Sequence, residues 1–152
     1  MHAVSLLPAR RTIKRLALVV MAAFVLAQFI PVDRSNPAVE AEVPAPAAVR
    51  DILQRSCYDC NSNETVWPWY SRVAPVSWLV ARDVHQARQH LNFSTWNRLK
   101  TVDRADALEE ILEEVERGDM PLAIYLPLHR DAQLTDADIR TIAEWVQSAS
   151  AR

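Results

Sequence analysis

The chain contains a single glycine, Gly118, in 152 residues. Sheet-rich folds use glycine at many tight turns, and a phosphate-cradling loop needs several within a few positions. This scarcity therefore predicts helices joined by loops in which the nine prolines supply the breaks. Glycine-rich nucleotide-binding motifs are excluded. Apolar residues (50%) and charged residues (24%) are close to globular averages, which argues against wholesale disorder and against a polytopic membrane protein.

The net charge of −2 hides an asymmetry, because Arg10, Arg11, Lys14 and Arg15 are gathered before residue 16 and leave the remainder distinctly acidic. An acidic remainder disfavours nucleic acid as a partner, since phosphate binding needs a basic face. Directly after the basic cluster, Leu16 to Ile30 is free of charge, with Gln28 its one polar residue. No small-x-small cleavage site follows it, so an uncleaved signal anchor is expected. Counting from Ile13 to Val32 gives about twenty residues, near the length a bilayer requires. The expected organisation is a cytoplasmic basic segment (1–15), a transmembrane anchor (16–32), a Pro/Ala-rich linker (33–46) and a folded domain (47–152). That domain would lie outside the bacterial inner membrane, in the periplasm.

Within the folded part, apolar spacing predicts a helix from Ala47 to about Cys60, stopping at Asn61-Ser62-Asn63. Pro68 and Pro75 bracket a loop dense in aromatics, Trp67, Trp69 and Tyr70, which either fill a core or wall a flat hydrophobic cofactor pocket. Further helices are expected over Val76 to Leu91, briefly around Trp96 and Leu99, and from about Arg104 to Arg117 with Gly118 as a left-handed terminator. The glutamates of that last helix read as its solvated face. Met120 follows in a loop before Pro121, where it is either a gap filler or a thioether presented to a metal. Thr135, with Asp138 three residues on, predicts the start of the final helix.

The chemistry-bearing motif is Cys57-Tyr58-Asp59-Cys60-Asn61, a Cys-x-x-Cys pair with asparagine where the c-type haem attachment signature has histidine. A thioredoxin-like motif would need a βαβ context, which is missing. A zinc site drawing on His85 and His90 would need them about two dozen residues beyond Cys60, twice the usual finger spacing. A Cys57–Cys60 disulfide in a non-haem structural or interaction module and a haem site both remain open on the residues alone. No nucleophile, base and orienter set is recognisable, so an enzyme is not expected.

The run from Cys57 to Thr65, followed by Trp67-Pro68-Trp69-Tyr70-Ser71, Ala74-Pro75-Val76-Ser77-Trp78-Leu79, His90-Leu91-Asn92-Phe93-Ser94 and Met120-Pro121, closely resembles the membrane-anchored bacterial haem-binding domain family related to cytochrome c. Gln28-Phe29 and Arg34-Ser35-Asn36-Pro37 are similar to that family's post-anchor segment, and the likeness covers about residues 28 to 146. It implies an all-α, cytochrome c-like domain with covalent c-type haem at Cys57 and Cys60. It also implies Met120 as the distal iron ligand, an ancestral role in electron transfer and a redox partner protein. Asn61 departs from the family pattern, which has the proximal histidine there. A carboxamide is a poor iron ligand, so His85, His90 and His129 are the imidazoles that could substitute, although the first two sit on a helix surface and the third in a loop.

Overall fold

The computed structural model describes residues 7–150; residues 1–6 of the expected basic segment and residues 151–152 lie outside the described residues. The elements are α-helical: α1 (Leu7–Ala27), α2 (Ala47–Ser56), the single turn α3 (Tyr58–Asn61), α4 (Val76–His90), α5 (Thr101–Arg117) and α6 (Asp136–Ser150). Short 3-10 turns fill several of the connections. Among the described residues the only sheet-like pairing is one bridge between Ala41 and Thr95. The expected small all-α domain is what the chain forms.

Two units divide the chain. The first takes residues up to 34 together with 68–81, and the second takes 35–67 and 82–152. In the first, α1 ends in a tightened turn where the amides of Gln28, Phe29 and Ile30 donate to the carbonyls of Val25, Leu26 and Ala27. The Gln28 carboxamide then makes a reciprocal pair with the Ala74 backbone, accepting from its N–H at 3.0 Å and donating to its carbonyl at 3.3 Å.

The expected anchor over 16–32 is not formed. No helix among the described residues is long and apolar enough to cross a membrane. The reason is register. α1 starts early enough to contain Arg10, Arg11, Lys14 and Arg15, and it stops at Ala27. Its uncharged part, Leu16 to Ala27, is about 18 Å of helix at 1.5 Å per residue, against a hydrocarbon core of about 30 Å. The membrane partner, the inner-membrane location and the periplasmic placement all depended on that span, and they fall with it.

The second unit is built on the apolar faces of its helices. Val49, Ile52 and Leu53 of α2, Leu108, Ile111 and Val115 of α5, and Ile142, Trp145 and Val146 of α6 are buried in one core. α6 packs against both α2 and α5. Tyr58, Phe93 and Trp96 complete that core as a stack, with ring centroids 5.4 Å and 6.5 Å apart. The segment before α2 has no regular structure, yet Val43 is in this core and the amides of Glu40 and Ala41 donate to the Ser94 carbonyl. α6 begins as expected: the Thr135 N–H donates to Asp138 Oδ2 (2.9 Å), and the Asp138 N–H donates back to Thr135 Oγ1 (3.2 Å).

Candidate functional site

The helix expected from Ala47 to Cys60 breaks at Cys57, whose backbone (φ −126°, ψ −34°) leaves the helical region. α3 then restarts from it, with the amides of Cys60 and Asn61 donating to the Cys57 carbonyl. Several bonds hold this turn. Asp59 accepts from the Val66 N–H (2.8 Å) through one oxygen and from the Tyr125 hydroxyl (2.6 Å) through the other, while Thr65 Oγ1 donates to the Asp59 carbonyl. Ser62 Oγ donates to the Tyr58 carbonyl and accepts from Glu64. The positions of Cys57 and Asn61 are therefore set by bonds to residues further along the chain.

Asn61 is tied to the end of α4. Its Nδ2 donates to the carbonyls of Leu91 (3.1 Å) and Ala87 (3.4 Å), the second of which also accepts from the Leu91 N–H. Its own carbonyl accepts from the Phe93 N–H at 2.8 Å.

α5 ends on Gly118, which takes the left-handed conformation (φ 72°) that glycine adopts without a Cβ penalty. The amides of Asp119 and Met120 then both donate to the Glu114 carbonyl, at 3.0 Å and 3.2 Å. Arg117 spans Glu113, Glu114 and Asp119 on the outside of the same turn. Met120 is thereby fixed to the last turn of α5.

These three pieces enclose a cleft of about 290 Å³. Cys57 contributes from the break between α2 and α3, Asn61 from the end of α3, and His90, Leu91 and Phe93 from the end of α4 and the residues after it. Glu110, Ile111, Glu114 and Val115 come from α5, and Met120 from the loop beyond it. The lining is mostly apolar. His90 Nε2 and Glu110 Oε1 meet at 2.7 Å, and both side chains are substantially exposed, so this pair joins α4 and α5 at the solvent edge. Cys57, Asn61 and Met120, expected as site residues, are brought together here. Cys60, one turn on, does not line the cleft. Trp67 donates its indole N–H to Asn36 at 3.3 Å and is likewise not a lining residue. Trp69 and Tyr70 belong to a 3-10 turn of the first unit, packed edge to face, with Trp69 73% exposed.

Residues 22–148 match the family described as Haem-binding domain. The chain belongs to that family. No curated protein and no solved structure matches it.

In this haem-binding domain both cysteines are free thiols, so the disulfide on which a non-haem structural module depended is not formed. Burial is the largest influence on both, with nearby negative charge adding to it, and it pushes Cys57 up to about 12 and Cys60 to about 11. Disulfide exchange proceeds through the thiolate, which these surroundings suppress. Among the described residues no three or more His, Cys, Asp or Glu side chains gather to hold a metal ion, so the zinc reading finds no ligand set.

The His90–Glu110 pair was not anticipated. The sequence pattern puts His90 on a helix surface and Glu110 on a solvated face, and both side chains are exposed. Their meeting across a cleft is a tertiary fact that neither helical period encodes.

Proposed function

We propose that the chain holds one haem in the cleft of its second unit, covalently attached at Cys57 and Cys60, with the Met120 sulfur as an iron ligand. The observation that carries this reading is the convergence of Cys57, Asn61 and Met120, from three separate segments, around an apolar cleft.

The residues that line the cleft suit the group, and Cys60 is carried one turn away from it at the end of α3. Leu91, Phe93, Ile111 and Val115 offer the apolar contact a porphyrin face needs, and a thioether is a soft donor suited to haem iron. Cys57 and Cys60 would hold the group by adding each S–H across one vinyl C=C, a step that breaks the S–H and the C=C π bond, forms one C–S and one C–H bond, and has no leaving group and no net redox change. Holding α3 through Asp59, Ser62 and Thr65 keeps the pair in place during that reaction. Haem, when bound, supplies an iron centre able to exchange single electrons or bind small ligands. The role of Asn61 in this arrangement is to tie α3 to the end of α4 through the Ala87 and Leu91 carbonyls, which keeps one wall of the cleft in position.

The test is to produce the full chain together with a c-type attachment system and to measure intact mass and the pyridine haemochrome spectrum. One haem retained after denaturation is expected, with retention abolished by Cys57→Ala combined with Cys60→Ala. A polypeptide of unmodified mass, with both thiols free to titrate, would refute the proposal.

A further inference from the structure

Position 61 cannot supply a strong nitrogen ligand. The Nδ2 of Asn61 has no lone pair to offer and is already committed to the Leu91 and Ala87 carbonyls. A nitrogen ligand from the chain to an iron held near Cys57 and Met120 would therefore come from another position.

We infer that His90 is that donor: its imidazole, released from Glu110, supplies the nitrogen ligand to the iron of the haem proposed above. This rests on the haem reading and adds the residue that takes over from position 61.

Four observations converge on it. Among the described residues His90 is the only imidazole lining the cleft. His129 is stacked on Tyr125 with ring centroids 3.9 Å apart, and His85, five residues back along α4, is not a lining residue. Secondly, the end of α4 that carries His90 is the end Asn61 fastens, so the residue occupying the histidine's usual place positions its replacement. Thirdly, His90 Nε2 meets Glu110 on the facing helix, which places the ring at the solvent edge of the cleft between α4 and α5. Fourthly, about 290 Å³ lies at the small end of ligand sites, which run from about 300 to 1,000 Å³. Admitting a flat macrocycle requires the edge of the cleft to part, and the exposed His90–Glu110 pair is the contact at that edge. Exposed pairs of this kind hold weakly.

Parting the pair frees the nitrogen that binds iron and leaves the Glu110 carboxylate to solvent. Imidazole nitrogen and thioether sulfur together are an established axial set for haem iron, and Met120 provides the second member. The neutral ring is the coordinating form.

The test uses the full chain carrying covalent haem, with the ferric protein examined by absorption and electron paramagnetic resonance. A low-spin wild type is expected. His90→Gly should lose the low-spin signal and become high-spin, added imidazole should restore it, and His85→Ala should leave it unchanged. Should His90→Gly mature poorly, His90→Gly with Asn61→His provides the second variant, with a low-spin spectrum expected because the imidazole is returned to position 61. A low-spin wild type whose spectrum survives His90→Gly would overturn the inference while leaving haem binding intact, and a high-spin wild type would do the same. A wild type carrying no haem would overturn both.

Discussion

Replacing Asp138 by asparagine removes one charge from a clasp that fastens the last turn of α2 to the start of α6. Arg55 reaches Asp138 Oδ1 at 2.6 Å and also donates to the carbonyls of Asp131 (3.0 Å) and Gln133 (3.3 Å). Burial alone would raise the Asp138 carboxyl. Hydrogen bonds from Arg55 and from the Thr135 N–H and hydroxyl outweigh it and hold the group down from 3.8 to about 2. A tenfold change in proton affinity is worth about 1.4 kcal/mol, so the ceiling on the contribution is about 2.5 kcal/mol. The two side chains are 17% and 30% exposed, and solvent screening reduces the expected value to about 1–2 kcal/mol. Because the folded value is depressed, this stability is present in full above pH ~4, the unfolded carboxyl's range, and is lost as pH falls through about 2. Urea unfolding followed by fluorescence of the buried Trp96 and Trp145 measures it. Wild type should exceed Asp138→Asn by about 1–2 kcal/mol at pH 7, with the gap closing toward pH 2. A gap that is the same at both pH values, or absent at pH 7, would refute the electrostatic account. Since Arg55 lies two residues before Cys57, the variant should also expose that thiol to faster alkylation.

Other consequences are open to direct measurement. With thiols pushed to about 12 and about 11, iodoacetamide at pH 8 should modify Cys57 and Cys60 at least about a hundredfold more slowly in the folded apo-protein than in urea; equal rates would contradict the burial described. Gly118→Ala should cost about 1 kcal/mol in a thermal melt, from the left-handed backbone alone, because a Cβ there meets nothing within 4 Å. Phe93→Ala, at the centre of the aromatic stack and 1% exposed, should cost about 3–5 kcal/mol. Tyr58→Phe should be neutral or stabilising by up to about 1–2 kcal/mol, since the buried Tyr58 hydroxyl has no hydrogen-bond partner; a marked loss of stability would show that the hydroxyl is satisfied.

How much of this was legible in the sequence depended on whether a feature was local. Leu108, Ile111 and Val115 followed by Gly118 announced both the buried face and the end of α5, and Thr135 with Asp138 announced the start of α6. The break at Cys57 carries no proline or glycine; it is imposed by Asp59, Ser62 and Thr65 bonding to their neighbours and to Tyr125, so apolar spacing ran straight through it. The extent of α1 misled for a related reason. A hydropathy window sees a charge-free run, but the helix begins upstream among four cations and ends where Gln28 finds Ala74, a partner 46 positions away. The site was half legible. Cys57, Asn61 and Met120 each stand in recognisable local motifs, whereas His90 and Glu110 are twenty positions apart and become a pair only once α4 and α5 are folded.

Met120 takes its place by counting. Its amide bonds to Glu114, inside the last turn of α5, so the sulfur's bearing is reckoned along that helix, in steps of about 100° and 1.5 Å per residue. Deleting one residue between Thr101 and Arg117 would leave every residue type of the cleft in the chain, yet swing the thioether about a quarter turn from the wall it now faces. α5 is thus a ruler as well as a wall, and its length is as much a part of the site as the residue it presents.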